Sequence, residues 1–187
     1  MFHPGSPAKE ERSQAFARCR ENFIRMLNIM DEMGNEDLIY CPETMGKINQ
    51  LGDLQEVIEL VRLDERVLPT IDFGHLHTRG IGAINTTEDF EAIVRELKQG
   101  IGLERLRKIH VHFSKIEYTA MGEKRHRTFD EEGFGPDFAL LAPVLVREKM
   151  EPTIICESKG TMAKDALAMK WMYEQAIREE ENQNAER

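Results

Sequence analysis

The stretch Arg107-Lys-Ile-His-Val-His-Phe113 determines the fold class, because it predicts a strand whose neighbours along the chain repeat one pattern. Apolar runs at 67–73 and Pro152 to Cys156 predict two more strands. Amphipathic patterns at 87–99 and 137–149 predict the helices between them. Strands that alternate with helices form right-handed crossovers and a parallel sheet covered on both faces, so the fold class is α/β.

The same alternation continues toward the N-terminus. Apolar residues spaced by three and four predict a long helix over 8–33 that ends at Gly34. Leu38 to Cys41 then predicts a buried strand, and a helix over 54–63 follows Asp53, which suits an N-cap. The segment Met1-Phe2-His3 resembles the end of a further strand.

The C-terminal half adds one more helix and one long connection. Residues 162–182 predict a closing helix rich in charge. Residues 114–136 carry no clear pattern and form the one long irregular stretch. A connection of that length in a compact domain is more often functional than idle.

Composition restricts the class of protein. The chain has 187 residues, of which 41% are hydrophobic and 32% charged, which excludes a disordered or repetitive polypeptide and fits a single domain over 1–187. The net charge of −9 leaves no broad basic face, so a DNA substrate would need bound cations or a local basic patch. Three cysteines in apolar patterns fit reduced thiols and a cytoplasmic protein, and we expect no membrane span.

Histidines and carboxylates collect at the predicted strand ends, where parallel α/β folds place their sites. Imidazole and carboxylate ligands without cysteine favour an open site for zinc, manganese or iron. His77 and His112 are at most supporting residues, because side chains two apart on a strand, such as those of His110 and His112, share a face, whereas a turn position such as His77 has no fixed direction. The nine residues are His3, Glu43, Asp72, His75, His77, His110, His112, His126 and Glu157.

Basic residues fall in the same strand-end segments. They allow a positive rim in an otherwise acidic protein, which a phosphate-bearing substrate would explain and a solvated loop would explain equally well. These residues are Lys47, Arg79, Lys115, Lys124, Arg125 and Arg127.

Six short motifs together resemble the endonuclease IV family of zinc-dependent apurinic/apyrimidinic endonucleases. In chain order they are Phe2-His3-Pro4-Gly5-Ser6, Pro42-Glu43-Thr44-Met45-Gly46, Ile71-Asp72-Phe73-Gly74-His75, Ile109-His110-Val111-His112, Arg125-His126 and Cys156-Glu157-Ser158. The resemblance implies a TIM (β/α)8 barrel of the xylose isomerase-like type. It covers about strands 4 to 8, so we expect an N-terminally truncated barrel, because a complete one needs roughly 250 residues.

The resemblance also implies a set of zinc ligands for two or three ions, with manganese as a possible substitute. His3 and Glu43 would bind the first metal, and Glu43, Asp72, His110 and Glu157 the second. His75 and His126 would hold a third metal with an aspartate at the position of Lys124. Since a protonated lysine cannot bind a cation, either Glu123 substitutes, or the third site is weakened or absent.

The implied activity is hydrolysis of duplex DNA 5′ to an abasic nucleotide, the incision step of base excision repair. Glu43 and Glu157 would orient the attacking water, and Arg79, Lys115 and Arg125 would contact phosphates. Extrusion of the damaged nucleotide costs least where the base is already missing.

Two alternatives stay open. The same strand-end residues suit a sugar or sugar-phosphate isomerase or epimerase, and the net charge of −9 favours such a small substrate over DNA. The chain could also be an inactive truncated fragment. An incomplete barrel exposes strand edges, so we expect self-association or association with a complementing fragment.

Overall fold

The computed structural model describes residues 1–186, and its elements follow the predicted alternation of helices and strands. Their order along the chain is α1 (Arg12–Glu32), α2 (Leu54–Val61), β1 (Thr70–Asp72), α3 (Phe73–Arg79), α4 (Thr87–Ile101), α5 (Leu103–Arg107), β2 (His110–Phe113), β3 (Lys115–Thr119), β4 (Gly122–Arg127), α6 (Phe138–Arg147), β5 (Thr153–Cys156) and α7 (Met162–Ala185).

The parallel sheet identifies the architecture. β2 pairs with β1 on one side and β5 on the other. Isolated parallel bridges extend the sheet beyond β1 to Glu43 and then to Phe2. The described residues therefore supply five parallel strand positions in the same order as the sequence. A doubly wound sheet reverses its strand order, whereas a barrel does not, so the predicted partial α/β barrel is confirmed.

Aromatic residues join the helices to the sheet. Phe73 packs on Phe90 of α4 with ring centroids 5.3 Å apart, and Phe113 packs edge-on against Phe138 of α6 at 5.0 Å. All four side chains are fully buried. The helices start where the sequence predicts, because Asp53 and Thr86 form capping boxes at α2 and α4.

The predicted strand over 67–73 is shorter than expected. β1 ends at Asp72, whose carboxylate accepts a hydrogen bond from the backbone N–H of His75 at 2.7 Å. This N-cap turns the chain directly into α3. His75 and His77 therefore lie on a helix at the end of the strand.

The prediction of a buried strand at Leu38 to Cys41 is wrong in its first half. Leu38 and Ile39 are 46% and 60% exposed, and the Leu38 N–H bonds the Asn35 carbonyl in the turn that follows α1. The chain enters the sheet only at Tyr40, which bridges Val67.

The prediction of an irregular segment over 114–136 is wrong for residues 115–127. Strands β3 and β4 form an antiparallel hairpin there. Gly122 lies at a φ of 89°, and a Cβ on it would collide with the carbonyl of Gly46, so only glycine allows the hairpin to approach the loop that follows Glu43. The hairpin therefore lies over the carboxyl end of the sheet.

All three cysteines are free thiols, of which Cys156 is buried. Among the helices of residues 1–186, none is long and apolar enough to cross a bilayer.

Candidate metal centre

Four side chains from four strand ends form one cluster, called here the buried group: Glu43, Asp72, His112 and Glu157. Their nearest nitrogen and oxygen atoms all lie within 4.8 Å of one another. The register explains this, since Asp72 of β1 pairs directly with His112 of β2. Glu157 follows β5 and donates its backbone N–H to the Phe113 carbonyl. Parallel pairing thus places all four groups at one edge of the sheet.

The histidine of the buried group, His112, contacts two of its three acids. His112 Nδ1 lies 3.0 Å from Glu43 Oε1 and 3.2 Å from Glu157 Oε1. Burial tends to raise the pKa of Glu43, but His112, His75 and His3 together hold it below its usual value. Burial likewise opposes the charged form of His112, yet the surrounding carboxylates raise its pKa. This arrangement favours the charged form of Glu43, which in turn favours a positive partner.

Asp72 carries the clearest sign that a cation belongs in the buried group. Its side chain is fully buried, and its Oδ2 atom has no hydrogen-bond partner in the described residues. Burial, together with the charges of Glu43 and Glu157, raises its pKa. Buried carboxylate oxygens are normally paired, and those without partners mark a missing ion or a functional site. Two oxygen donors and an imidazole around an orphaned oxygen fit a divalent metal.

A second cluster, called here the hairpin group, consists of His75, Glu123 and His126. His75 Nε2 lies 3.6 Å from Glu123 Oε2, and the two imidazole rings are 5.6 Å apart. His75 Nδ1 bonds the Thr44 carbonyl at 2.9 Å and therefore carries the proton there. His126 Nδ1 is held by Ser114 Oγ at 2.8 Å. Such partners orient both rings so that each Nε2 is free for a metal.

A β-bulge explains why Glu123 rather than Lys124 joins the hairpin group. Glu117 pairs with Arg125, but the next residue of β3, Tyr118, pairs with Glu123. Lys124 is the extra residue of the bulge, and its ammonium turns outward to Glu117. Residues three apart on a regular strand face opposite sides, whereas the bulge turns Glu123 and His126 to the same side. Of the three sequence-based alternatives for this site, the geometry favours substitution by Glu123.

Both groups open into one cavity of about 260 Å³. Glu43, His75 and Glu157 line it from the sheet side, and Glu123 and His126 line it from the hairpin. Glu157 Oε2 lies 4.0 Å from His126 Nε2, so this carboxylate connects the two groups. His3 stands at the edge, with Nε2 at 3.1 Å from Glu43 Oε2 and most of its side chain exposed.

The structure places the predicted ligand His110 outside the buried group and puts His112 there. Both histidines point to the same face of β2, with rings 5.1 Å apart. His112 lies opposite Asp72 in the register, whereas His110 lies opposite Thr70, two residues farther from the strand ends. Burial and the neighbouring His112 lower the pKa of His110. The motif alone could not decide between the two histidines, because only the register with β1 shows which of them lies opposite Asp72.

The three residues predicted to contact phosphate already bond within the protein. Arg79 donates to the carbonyls of the loop over 45–50, the shortest of these bonds being 2.8 Å to Lys47. Lys115 Nζ donates to the Phe129 carbonyl at 2.6 Å and to that of Glu131. Arg125 pairs with Glu117 but leaves half of its side chain exposed. Arg79 therefore braces the loop over 45–50, which lines the cavity, Lys115 braces the segment that follows the hairpin, and Arg125 is the most accessible of the three.

The fold and the cluster define a protein class, an α/β barrel with a candidate metal centre at the carboxyl ends of its strands. Comparison with protein families agrees, because residues 1–175 match the xylose isomerase-like TIM barrel family. The chain belongs to this family.

Named relatives lie within the same family. A protein of Methanocaldococcus jannaschii with no assigned function is 34% identical over 158 residues, which are 84% of this chain and 56% of that protein. A probable endonuclease 4 of Oceanobacillus iheyensis is 29% identical over 140 residues, 72% of this chain and 43% of the relative. A probable endonuclease 4 of Methanosphaera stadtmanae is 30% identical over 119 residues, which are 61% of this chain and 40% of that protein.

A solved structure shows the same fold. The crystal structure of endonuclease IV from Thermus thermophilus superimposes with a TM-score of 0.64 at 20% identity, covering 92% of this chain and 60% of that one. The resemblance to endonuclease IV that the motifs predict is therefore confirmed. The chain spans about half the length of the curated relatives it matches.

Proposed function

We propose that this chain carries the hydrolytic centre of a metal-dependent phosphodiesterase that incises DNA 5′ to abasic sites, acting in base excision repair in the cytoplasm. The observation that carries the proposal is that the buried group and the hairpin group open into one cavity and share Glu157 as a connection. Two adjacent metal positions suit an in-line displacement at phosphorus. The names of the relatives, probable endonuclease 4, support the same reaction class.

Zinc or manganese bound at these groups would activate water near neutral pH and offset the negative charge of the phosphate. Asp72 and His112 would hold an ion in the buried group, and His75, Glu123 and His126 one in the hairpin group. Glu43 would bind through one oxygen beside His112 and the other beside His3. A third ion at His3 belongs to the same proposal.

Glu157 is the group best placed to orient the attacking water and accept its proton. Its side chain is 31% exposed in the cavity, whereas those of Glu43 and Asp72 are almost fully buried. One of its oxygens is fixed by His112, which leaves the other turned toward His126. A base must reach the water it deprotonates, and Glu157 has the most exposed side chain of the buried group.

Charge around the cavity supports a phosphate-bearing substrate. Lys47 lines the cavity and is exposed, and Lys124 and Arg125 lie exposed on the nearby hairpin. Glu117 neutralises part of this charge, since three cations surround its one carboxylate. An abasic nucleotide has no base to unstack, so its sugar and phosphate enter such a cavity at the lowest cost.

The test is incision of an end-labelled duplex that contains a single abasic site, with zinc or manganese and with or without a chelator. We expect metal-dependent cutting 5′ to the abasic site and its loss in Glu157→Gln. Glu151→Gln is the matched control, because Glu151 precedes β5 at the opposite end of the strand and lies exposed. The proposal fails if the folded, zinc-loaded protein leaves the duplex intact.

One observation favours a second candidate, an isomerase or epimerase of a sugar or sugar phosphate. Arg79 and Lys115 donate hydrogen bonds to backbone carbonyls and are not free to contact phosphates, and the net charge of −9 disfavours binding of a long polyanion. Exchange of substrate hydrogen with solvent deuterium, followed by NMR on sugar phosphates, would reveal this activity. Intact abasic duplex together with such exchange would replace the first candidate by the second.

A further inference from the structure

Asp165 is a buried carboxylate that belongs to neither metal group. It lies in the first turn of α7 and is only 1% exposed. Burial tends to raise its pKa, but hydrogen bonds from Ser158, Thr161 and the Phe129 N–H hold the pKa below its usual value. Asp165 is therefore a charged acceptor that donors from two different segments of the chain surround.

Hydroxyl groups connect Asp165 to the loop that carries Glu157. The Thr161 hydroxyl donates to Asp165 Oδ2 at 2.6 Å, and its oxygen lies 3.4 Å from Ser158 Oγ. Ser158 Oγ in turn lies 3.3 Å from Cys156 Sγ. These contacts fix the residues directly before and after Glu157, so they restrict where its side chain can lie.

Asp165 also binds the segment that follows the hairpin. The Phe129 N–H donates to Asp165 Oδ2 at 3.2 Å, and Phe129 comes three residues after His126 of the hairpin group. Glu157 Oε2 and His126 Nε2 lie 4.0 Å apart in the cavity. One carboxylate therefore joins the two segments whose side chains meet at the metal centre.

The first turn of α7 lacks a local hydrogen bond because of this network. Thr161 occupies the N-cap position, where a threonine hydroxyl normally accepts a backbone N–H of the helix. Its side chain makes no such bond and donates to Asp165 instead. A departure from local helix stability is typical of functional sites, so the network indicates a demand on the loop over 157–161.

We propose that Asp165 is a positioning residue that holds Glu157 and the hairpin group in the arrangement needed for hydrolysis. It acts through Thr161 on the loop that carries Glu157, and through the Phe129 N–H on the hairpin. This role rests on the proposed function, in which Glu157 orients the attacking water. Since a small misplacement of a catalytic group slows the reaction step, loss of Asp165 should lower kcat and leave KM nearly unchanged.

The test compares steady-state incision of the abasic duplex by the zinc-loaded protein and by Asp165→Asn, at a temperature where both are folded. Asparagine keeps the shape of the side chain but places an amide donor against the donors that surround it. We expect kcat to fall about 10- to 100-fold, the usual loss when a supporting hydrogen-bond partner of a metal site is removed. The number of bound zinc ions, counted by native mass spectrometry, should stay the same.

Two changes at Thr161 and one at Lys164 complete the test. Thr161→Val removes the hydroxyl that joins Asp165 to the loop and should lower kcat in the same way, whereas Thr161→Ser restores it. Lys164→Gln is the matched control, because Lys164 pairs with Asp130 and so links the same two segments at the surface. Exposed ion pairs contribute little, so Lys164→Gln should keep its kcat.

The positioning role is overturned if Asp165→Asn keeps its kcat, if Thr161→Ser fails to restore what Thr161→Val loses, or if Lys164→Gln loses as much. Hydrogen exchange of the Phe129 amide, followed by NMR, separates this failure from that of the proposed function. An unmodified protein that leaves the duplex intact would refute the proposed function. Faster exchange in Asp165→Asn would then still support the link between Asp165 and the hairpin segment, and unchanged exchange would overturn it.

Discussion

Replacing Asp72 by asparagine should stabilise the zinc-free protein and at the same time weaken its response to zinc. The Oδ2 atom of Asp72 is buried without a hydrogen-bond partner, with His75 Nδ1 3.4 Å away, and one oxygen of this carboxylate lies within 4.8 Å of the other acids of the buried group. Asparagine keeps Oδ1 as acceptor for the His75 N–H and places a neutral amide donor among those carboxylates. We expect the free energy of unfolding to rise by about 1–3 kcal/mol, the range for an unsatisfied buried group.

Differential scanning calorimetry measures both effects. For a chain of this size each kcal/mol shifts Tm by about 2–4 °C, so Asp72→Asn should melt roughly 2–12 °C higher in a chelator. Zinc at about 100 times its Kd stabilises the unmodified protein by roughly 2.7 kcal/mol. If the loss of Asp72 weakens zinc binding about 10- to 100-fold, the same zinc concentration stabilises the Asp72→Asn variant by only ~0.4–1.4 kcal/mol.

Asp137→Asn is the matched control, because Asp137 caps α6 in the same way outside both metal groups. Its stability should change by no more than ~0.5 kcal/mol, and its zinc response should persist. A lower Tm of Asp72→Asn in the chelator, or an undiminished zinc response, would refute the inference that Asp72 binds a cation.

Three further predictions concern pH, the loop over 45–50 and the core. Carboxylates raise the pKa of His75 and His112 against the opposing effect of burial, so protonation stabilises the zinc-free protein fully below pH 6.5. Its free energy of unfolding should fall as pH rises above 6.5, while zinc-induced stabilisation should grow, so the stabilities that denaturant titrations give in chelator and in zinc should diverge as pH rises. Arg79→Met should cost about 1–3 kcal/mol in urea unfolding, because the carbonyls of the loop lose their donor, and zinc binding measured by calorimetry should persist. Phe90→Ala should cost about 3–5 kcal/mol in the same unfolding assay, since the ring is fully buried, and a loss under 1 kcal/mol would contradict the packing described.

The parts of the fold that depend on local signals could be predicted from the sequence. Asp53 and Thr86 cap α2 and α4 through hydrogen bonds to residues only three positions away, so their residue types predict where the helices begin. The hairpin over 115–127 could not be recognised, because its strands are short and largely polar and its pairing forms only across the carboxyl end of the sheet.

The candidate site was predictable as a set of strand ends but not in detail. Glu43, Asp72 and Glu157 follow strands and meet because parallel strands end at one edge. The choice of His112 over His110 depends on the register with β1, which no residue type reveals. Glu123 enters its group through the bulge at Lys124, which interrupts the alternation that sequence reasoning must assume.

Counting bound zinc by native mass spectrometry tests the central claim most directly. The account predicts at least two ions per chain, one for each group, and one ion fewer in Glu123→Ala. Lys124→Ala is the neighbouring control and should keep the full count, because its side chain points to Glu117. A chain that binds no zinc, or that loses its ion in Lys124→Ala and keeps it in Glu123→Ala, would contradict the account.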